Sequence, residues 1–323
     1  MSIAVHGFRR TVRKTWRRIY RPLLRPVLVA IDYVLVIVVR IAVRGLKKLD
    51  PDASSDFMGK FVRSVGPFVP ANKTGLANLR AAYPEKSEAE IKEILGGVWE
   101  NLGRVAGEFV HLEGLWDYDY SRPTPGRIET SDALKFGEMR DDGKPALIFS
   151  AHLANWELAA VCAAAHGLDA AVLFRAPTNR FVAELIHETR SNSMVKLVPT
   201  GFQSVFAMAG MIERGGHVGM LVDQYYHEIH GAERVTFFGR STPANPTLAR
   251  LARQFDCPVY GVRIVRLPQN RFRVDLVGPV ELPRDAEGRV DVGPATQKIM
   301  SIIEGWIREH PEQWLWLHRR WRD

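Results

Sequence analysis

The chain has 323 residues, 46% of them apolar, enough to bury a sizeable core in one catalytic domain with an appendage. Its formal charge of +8 is uneven: residues 1–48 carry twelve Lys/Arg and one acid, Asp32, for +11, whereas the remainder carries 32 basic and 35 acidic residues, for −3. The basic character thus belongs to an N-terminal arm and does not indicate a nucleic-acid-binding domain, and two isolated cysteines, Cys162 and Cys257, exclude a disulfide framework and fit a reducing compartment.

In the arm, Arg9, Arg10, Arg13, Lys14, Arg17, Arg18, Arg21 and Arg25 recur every three or four residues among Phe8, Trp16, Ile19, Tyr20 and Leu23. This predicts a basic helical face beside aromatic anchors, suited to anionic membrane lipids. Residues 27–43 are rich in Val, Leu and Ile but interrupted by Asp32 and Arg40, short of the roughly 20 apolar residues of a clean span. Arg44, Lys47 and Lys48 make its far side basic too, so charge does not decide whether the segment spans the bilayer, enters it shallowly or lies in the interface, and 1–48 reads as a membrane-anchoring unit.

Residues 49–125 read as a helical lead-in. A helix starting at Ser87 runs towards Phe109, with an interruption expected at Gly96-Gly97, and 117–125 reads as a loop. The core, 126–323, alternates strands (146–149, 170–174, 195–198, 218–222, 259–265, 272–277) with helices (158–165, 179–191, 202–214, 245–255, 295–310). That alternation predicts an α/β fold with a largely parallel central sheet flanked by helices, its last two strands forming an antiparallel hairpin. Ligand sites in such sheets gather at the carboxyl ends of strands, where His152, Arg175 and Asp223 all fall.

His152 follows a buried strand at once and precedes an Ala/Leu/Val-rich helix. On one continuous helix, residues five apart point about 140° from each other, given roughly 3.6 residues per turn, so His152 and Glu157 could not meet. With His152 in the turn and Glu157 in the first helical turn, the carboxylate could fix the imidazole tautomer and leave the other nitrogen as a base. The same local pattern also fits a structural histidine capped by a surface carboxylate.

His-x-x-x-x-Glu after a buried strand resembles the dyad of the glycerolipid acyltransferase superfamily. The wording His152-Leu-Ala-Asn-Trp-Glu157 resembles the lipid A late acyltransferases of the lauroyl/myristoyl type. Three further blocks agree in order and spacing: Phe174-Arg175-Ala-Pro177-Thr-Asn179, Gly219-Met-Leu-Val-Asp223-Gln224, and Pro311-Glu-Gln313-Trp-Leu-Trp316-Leu-His318-Arg319-Arg320-Trp321. Together the four blocks cover about residues 60–322.

The resemblance implies an O-acyltransferase that moves a fatty acyl group from acyl carrier protein onto a hydroxyacyl chain of a lipid A precursor, at the inner membrane with the catalytic domain facing the cytoplasm. It implies no cofactor and no metal. His152 would take the acceptor hydroxyl proton and Glu157 would orient it. Arg175 could hold a lipid phosphate or the oxyanion, or else pair with an acid such as Glu184. Asn179, Asp223 and Gln224 would build the substrate cleft; Arg319 and Arg320, among the C-terminal tryptophans, suit a phosphorylated glycolipid or a phosphopantetheine-bearing acidic carrier. His227 and His230 form a His-x-x-His pair, which alone does not make a metal site. Ser150 lacks the Gly-x-Ser-x-Gly elbow of a serine hydrolase. Another glycolipid or phospholipid acceptor, or a catalytically silent membrane-bound scaffold, are the alternative readings.

Overall fold

The structure, a computed structural model, describes residues 21–119, 126–175 and 180–322. The arm's basic residues up to Arg18, and Asn179, lie outside the described residues.

Helix α1 (Arg21–Leu46) is followed by α2 (Pro51–Val65), α3 (Ala71–Ala82), α4 (Glu88–Phe109) and a single turn, α5 (Leu112–Leu115). No helix among the described residues is long and apolar enough to cross a membrane. Ser87 and Glu90 form a reciprocal capping box that starts α4, satisfying backbone donors the helix cannot satisfy itself. The expected interruption at Gly96-Gly97 is absent: α4 is continuous, and the two glycines mark where neighbours press on it. A Cβ at Gly97 would lie 2.7 Å from the Glu312 side chain, and one at Gly96 would lie 3.3 Å from the Arg63 guanidinium. Close approach explains this pair of glycines better than helix breaking.

The remaining elements are β1 (Ile128–Glu129), α6 (Ala133–Asp141), β2 (Leu147–Ser150), α7 (Glu157–Ala165), β3 (Ala170–Phe174), α8 (Arg180–Ser193), β4 (Lys196–Pro199), α9 (Phe202–Glu213) and β5 (His217–Leu221). Then come β6 (Glu233–Phe237), β7 (Arg240–Ala244), α10 (Thr247–Phe255), β8 (Val259–Leu267), β9 (Arg271–Val277) and α11 (Val292–Glu309). Seven strands form one sheet in the order β1-β9-β8-β2-β5-β3-β4, parallel throughout except where β9 turns back along β8. The mixed α/β fold and the terminal hairpin are as the sequence predicts. Strand β1, helix α6 and the separate β6–β7 hairpin were not foreseen.

Both faces of the sheet are covered, which is why its strands read as apolar runs rather than alternating ones. Leu147, Phe149, Val218 and Met220 pack with Trp99, Ile303 and Trp306 on one side. Val262, Ile264, Phe272 and Val274 pack with Phe136, Leu158 and Val161 on the other. The order places β5 between β2 and β3, all parallel, so the chain leaves these three strands along one edge of the sheet. Residues after Ser150, Leu221 and Phe174 therefore converge.

Candidate active site

At the end of β2 the Ser150 hydroxyl donates to the Val262 carbonyl at 2.7 Å, and the chain turns sharply: the Leu153 amide donates to the Ala151 carbonyl at 2.7 Å. Ala154 adopts φ +49°, a left-handed conformation that costs an L-residue energy and persists only where its surroundings impose it. Those surroundings are explicit. The C-terminal segment runs antiparallel past the turn, Ala154 N–H donating to the Gln313 carbonyl at 2.9 Å and Leu315 N–H to the His152 carbonyl at 3.1 Å. Asn101 on α4 donates from Nδ2 to the carbonyls of Ala154 and Gln313, each at 3.1 Å.

Below the turn, Asn155 is fully buried; its Nδ2 donates to Glu108 at 2.9 Å, and its Oδ1 accepts the Glu157 amide at 3.2 Å at the start of α7. Glu108 is itself held by the Arg266 guanidinium and by the Ser55 hydroxyl at 2.7 Å. A buried carboxylate, a guanidinium and an amide thus saturate one another, as a low-dielectric interior requires. The His152 turn is fixed from three sides.

The imidazole projects from this turn towards the end of β5. Asp223 is fully buried, and its carboxylate accepts from His152 Nδ1 at 2.9 Å, from the His152 backbone N–H at 3.0 Å and from the Trp314 indole at 2.6 Å. A carboxylate can only accept, so Nδ1 carries the proton and Nε2 keeps its lone pair. Gln224 Nε2 lies 3.2 Å from that nitrogen. Burial alone would push the Asp223 carboxyl up, but the neighbouring imidazole and the donors from His152 and Trp314 outweigh it and hold the group below the ordinary carboxylate range.

Glu157 does not meet His152; no hydrogen bond or ion pair joins them. The reason is the buried N-terminal turn of α7, which directs the carboxylate to Arg190 on α8. Arg190 grips it with both prongs, Nε to Oε2 at 2.9 Å and Nη2 to Oε1 at 2.6 Å, while the Trp156 indole donates to Oε1 at 3.0 Å. Trp156 in turn lies against the imidazole, ring centroids 5.4 Å apart. Glu157 therefore reaches the histidine only through a tryptophan.

The remaining expected site residues separate. Arg175 and Arg319 are exposed, and Arg175 follows β3 on the same edge as His152. Arg320 is 1% exposed: its Nη1 donates to the Thr242 hydroxyl at 2.7 Å and to the Pro243 carbonyl at 2.9 Å, its plane lies over Phe237, and burial pushes its pKa down to about 10. It braces the C-terminal segment from inside and does not face the cleft. His227 and His230 are exposed on the loop after Gln224.

Two residues at the site escaped the sequence reading. Arg190 lies in a helix of mixed polar residues with no motif to mark it. His318 lies within one of the recognised blocks; desolvation first, then its nearness to the His152 imidazole and the Arg175 guanidinium, hold it below the ordinary imidazole value against the pull of Asp223. Its neighbourhood to His152, Asp223 and Arg175 comes from the pinning of the C-terminal segment, where Asn78 Nδ2 donates to the Trp316 and His318 carbonyls at 2.7 and 2.6 Å.

A histidine oriented by a buried carboxylate, at the carboxyl edge of a parallel sheet, can take a proton from a hydroxyl, and among the described residues no serine, threonine or cysteine side chain hydrogen-bonds to it. Residues 24–323 match the family model of the bacterial lipid A biosynthesis acyltransferases, nearly the whole chain, and the chain belongs to that family. It is accordingly an O-acyltransferase with a lipid A-type acceptor. No curated protein matches the chain.

Proposed function

We propose that the chain transfers a fatty acyl group from an acyl carrier protein thioester to the hydroxyl of a 3-hydroxyacyl chain on a lipid A precursor. The observation that carries this reading is the His152–Asp223 pair, with Nδ1 tied to the carboxylate and Nε2 left as a base beside Gln224. The acceptor hydroxyl replaces the Gln224 amide at Nε2 and gives up its proton as the oxygen attacks the thioester carbonyl. When the tetrahedral intermediate collapses, the carbon–sulfur bond breaks and the imidazolium returns the proton to the departing thiolate. Asp223 stabilises the imidazolium between those steps, in a site whose low dielectric strengthens the pairing.

In this scheme Glu157 serves the dyad at one remove, clamping Trp156 and Arg190 around the base. Exposed Arg175 and Arg319, with Asn179, receive the phosphate groups of the glycolipid or the acidic carrier. Two cysteines with no partner in each other and a carrier-bound donor favour a catalytic domain facing the cytoplasm, at the inner membrane. The arm and α1 hold it there along the interface: Tyr33, Val34, Ile37, Val38 and Ile41 share one exposed apolar face of that helix.

The test is mass spectrometry of lipid A precursors incubated with membranes carrying the wild-type chain or His152→Ala, given a panel of acyl carrier protein thioesters. One added acyl chain with wild type only is the expected result. Transfer to phospholipid instead would replace the acceptor, and no transfer to any lipid by folded protein would overturn the reading.

A further inference from the structure

Helix α2 is inverted relative to an ordinary surface helix. Its inward side is small and polar: Ser54, Ser55 and Gly59 are buried against α4, Ser54 Oγ donates to the Gly107 carbonyl at 2.8 Å, and a Cβ at Gly103 would come within 2.2 Å of the Met58 carbonyl. Backbone approaches backbone closely there, with Val62 packed alongside, so α2 is seated firmly on α4. Its outward side carries the apolar residues. Phe57 is 58% exposed, Phe61 52%, and both point outwards with Val65, stacked along the helix at centroids 6.4 Å apart; Phe68, 87% exposed, and Val69 extend the patch beyond the helix end. Helix packing normally places such residues inwards, and a contiguous exposed apolar patch marks a contact surface.

The charges around the patch say what it meets. Each acid on this stretch is engaged elsewhere: Asp50 caps α2 through the amides of Asp52 and Ala53, Asp52 pairs with Arg127, and Asp56 pairs with Arg104. The exposed lysines of this stretch, Lys47, Lys48 and Lys60, make no ion pair among the described residues. Aromatic rings on a stretch whose exposed lysines stand outside any ion pair, and whose acids are engaged by other partners, match the headgroup boundary of an anionic bilayer, into which rings sink while lysine stems reach back to phosphates. A four-residue link joins α1, whose exposed face is also apolar, to α2, and the patch begins at Phe57 within α2.

We propose that the face formed by Phe57, Phe61, Val65, Phe68 and Val69 docks on an anionic lipid surface and sets the catalytic domain against the bilayer, independently of the N-terminal arm. The inference rests on the membrane-bound reading above. A domain seated by a rigid second face holds its cleft at a fixed height over the lipid, which is what extraction of a glycolipid hydroxyl from a bilayer demands.

The experiment uses the full chain carrying Phe68→Cys and Cys257→Ser, labelled at residue 68 with an environment-sensitive fluorophore; Cys162 is buried and does not compete. Vesicles of phosphatidylethanolamine and phosphatidylglycerol are added, and binding is followed separately by flotation. Binding with a blue-shifted probe that lipid-borne quenchers darken is the expected result. The double variant Phe57→Ser/Phe61→Ser, unchanged in melting temperature because both rings are exposed, should lower vesicle partition about tenfold or more, given the transfer free energy of two aromatic rings. Binding with a probe that stays in water overturns the inference while leaving the membrane-bound reading intact. Failure to float overturns both. A probe already shielded before vesicles are added means that the arm or a second copy covers the face, and also overturns it.

Discussion

Two carboxylates flank the His152 turn and are wired to opposite kinds of partner. Asp223 faces an imidazole, a side chain that can take up and give back a proton; Glu157 faces a guanidinium that cannot. The first arrangement can follow a reaction, strengthening as the imidazole becomes charged. The second has one state and can only hold shape. Position in sequence does not reveal this difference, since Glu157 is five residues from the histidine and Asp223 is seventy-one.

The largest expected effect is on the first pair. In Asp223→Asn the amide has one oxygen for three donors, His152 N–H, Trp314 Nε1 and His152 Nδ1. If that oxygen stays with the first two, the amide N–H faces Nδ1, the proton moves to Nε2, and the lone pair is lost from the reacting side. Turnover should fall about 10²–10⁴-fold with the fold retained. Activity within tenfold of wild type would show that Asp223 does not orient the base. The variant should also change acid stability. Because the folded carboxyl titrates below its unfolded value, its contribution is complete above about pH 4 to 5 and is lost as pH falls through the folded pKa. The stability gap between wild type and Asp223→Asn, measured by urea unfolding across pH, should therefore be constant at neutral pH and close on acidification.

The second pair should respond differently. Glu157→Ala leaves a largely buried guanidinium and the Trp156 indole without an acceptor, costing about 3 kcal/mol of stability. Glu157→Gln, which keeps the shape, should lower turnover about tenfold without moving the acid limb of the pH–rate profile. A double-mutant cycle of Glu157→Gln with Arg190→Gln should show strong coupling, because each single change already breaks the same fork. Should Glu157→Gln displace the pH profile as far as Asp223→Asn does, the distinction between the two pairs collapses.

A smaller effect is expected at Trp314→Phe, which keeps the ring volume and removes only the 2.6 Å donor to Asp223. Stability should fall by about 1–2 kcal/mol, and the acid-side loss should begin at a higher pH, since one of the interactions holding the carboxylate ionised is gone. An unchanged acid limb would mean that the indole contributes packing alone.

What could be read from the sequence follows the range of the forces involved. The strands and helices were legible because a sheet covered on both faces demands apolar runs at fixed lengths; the bounds of β3 match, and those of α7 and α9 differ by one residue at one end. His152 and Asp223 were legible as strand-end residues on one edge. Their pairing was not, because it depends on β5 lying next to β2, a tertiary fact that nothing local encodes. Glu157 reads as the partner because a turn followed by a first helical turn could bring it to His152 and because His-x-x-x-x-Glu resembles a known dyad, and Arg190 lacked any signal because its role comes wholly from the packing of α8. The glycines of α4 misled for the related reason that glycine serves both to break helices and to admit neighbours.

The least change should come at Arg320, which separates burial from pairing. Like Arg190 it is a cation withdrawn from water, but it has no carboxylate: only Nη1 is satisfied, by Thr242 and Pro243, and Nε and Nη2 find no acceptor among the described residues. The cost of desolvating its charge is met by the Phe237 face and by the distant pull of Asp223 alone. Arg320→Met fills the same space without that cost, while the Thr242 hydroxyl keeps its bond to the backbone carbonyl of residue 320 at 3.0 Å. Stability measured by urea unfolding should stay within about 1 kcal/mol of wild type or rise, as it does when buried charges give way to apolar residues of similar volume. KM for acceptor and donor should be unaltered. A tenfold rise in either would mean that the C-terminal segment opens and that Arg320 meets the ligand after all; unaltered constants, beside a collapsed Asp223→Asn, would show that what matters near this turn is a charge with a partner able to titrate.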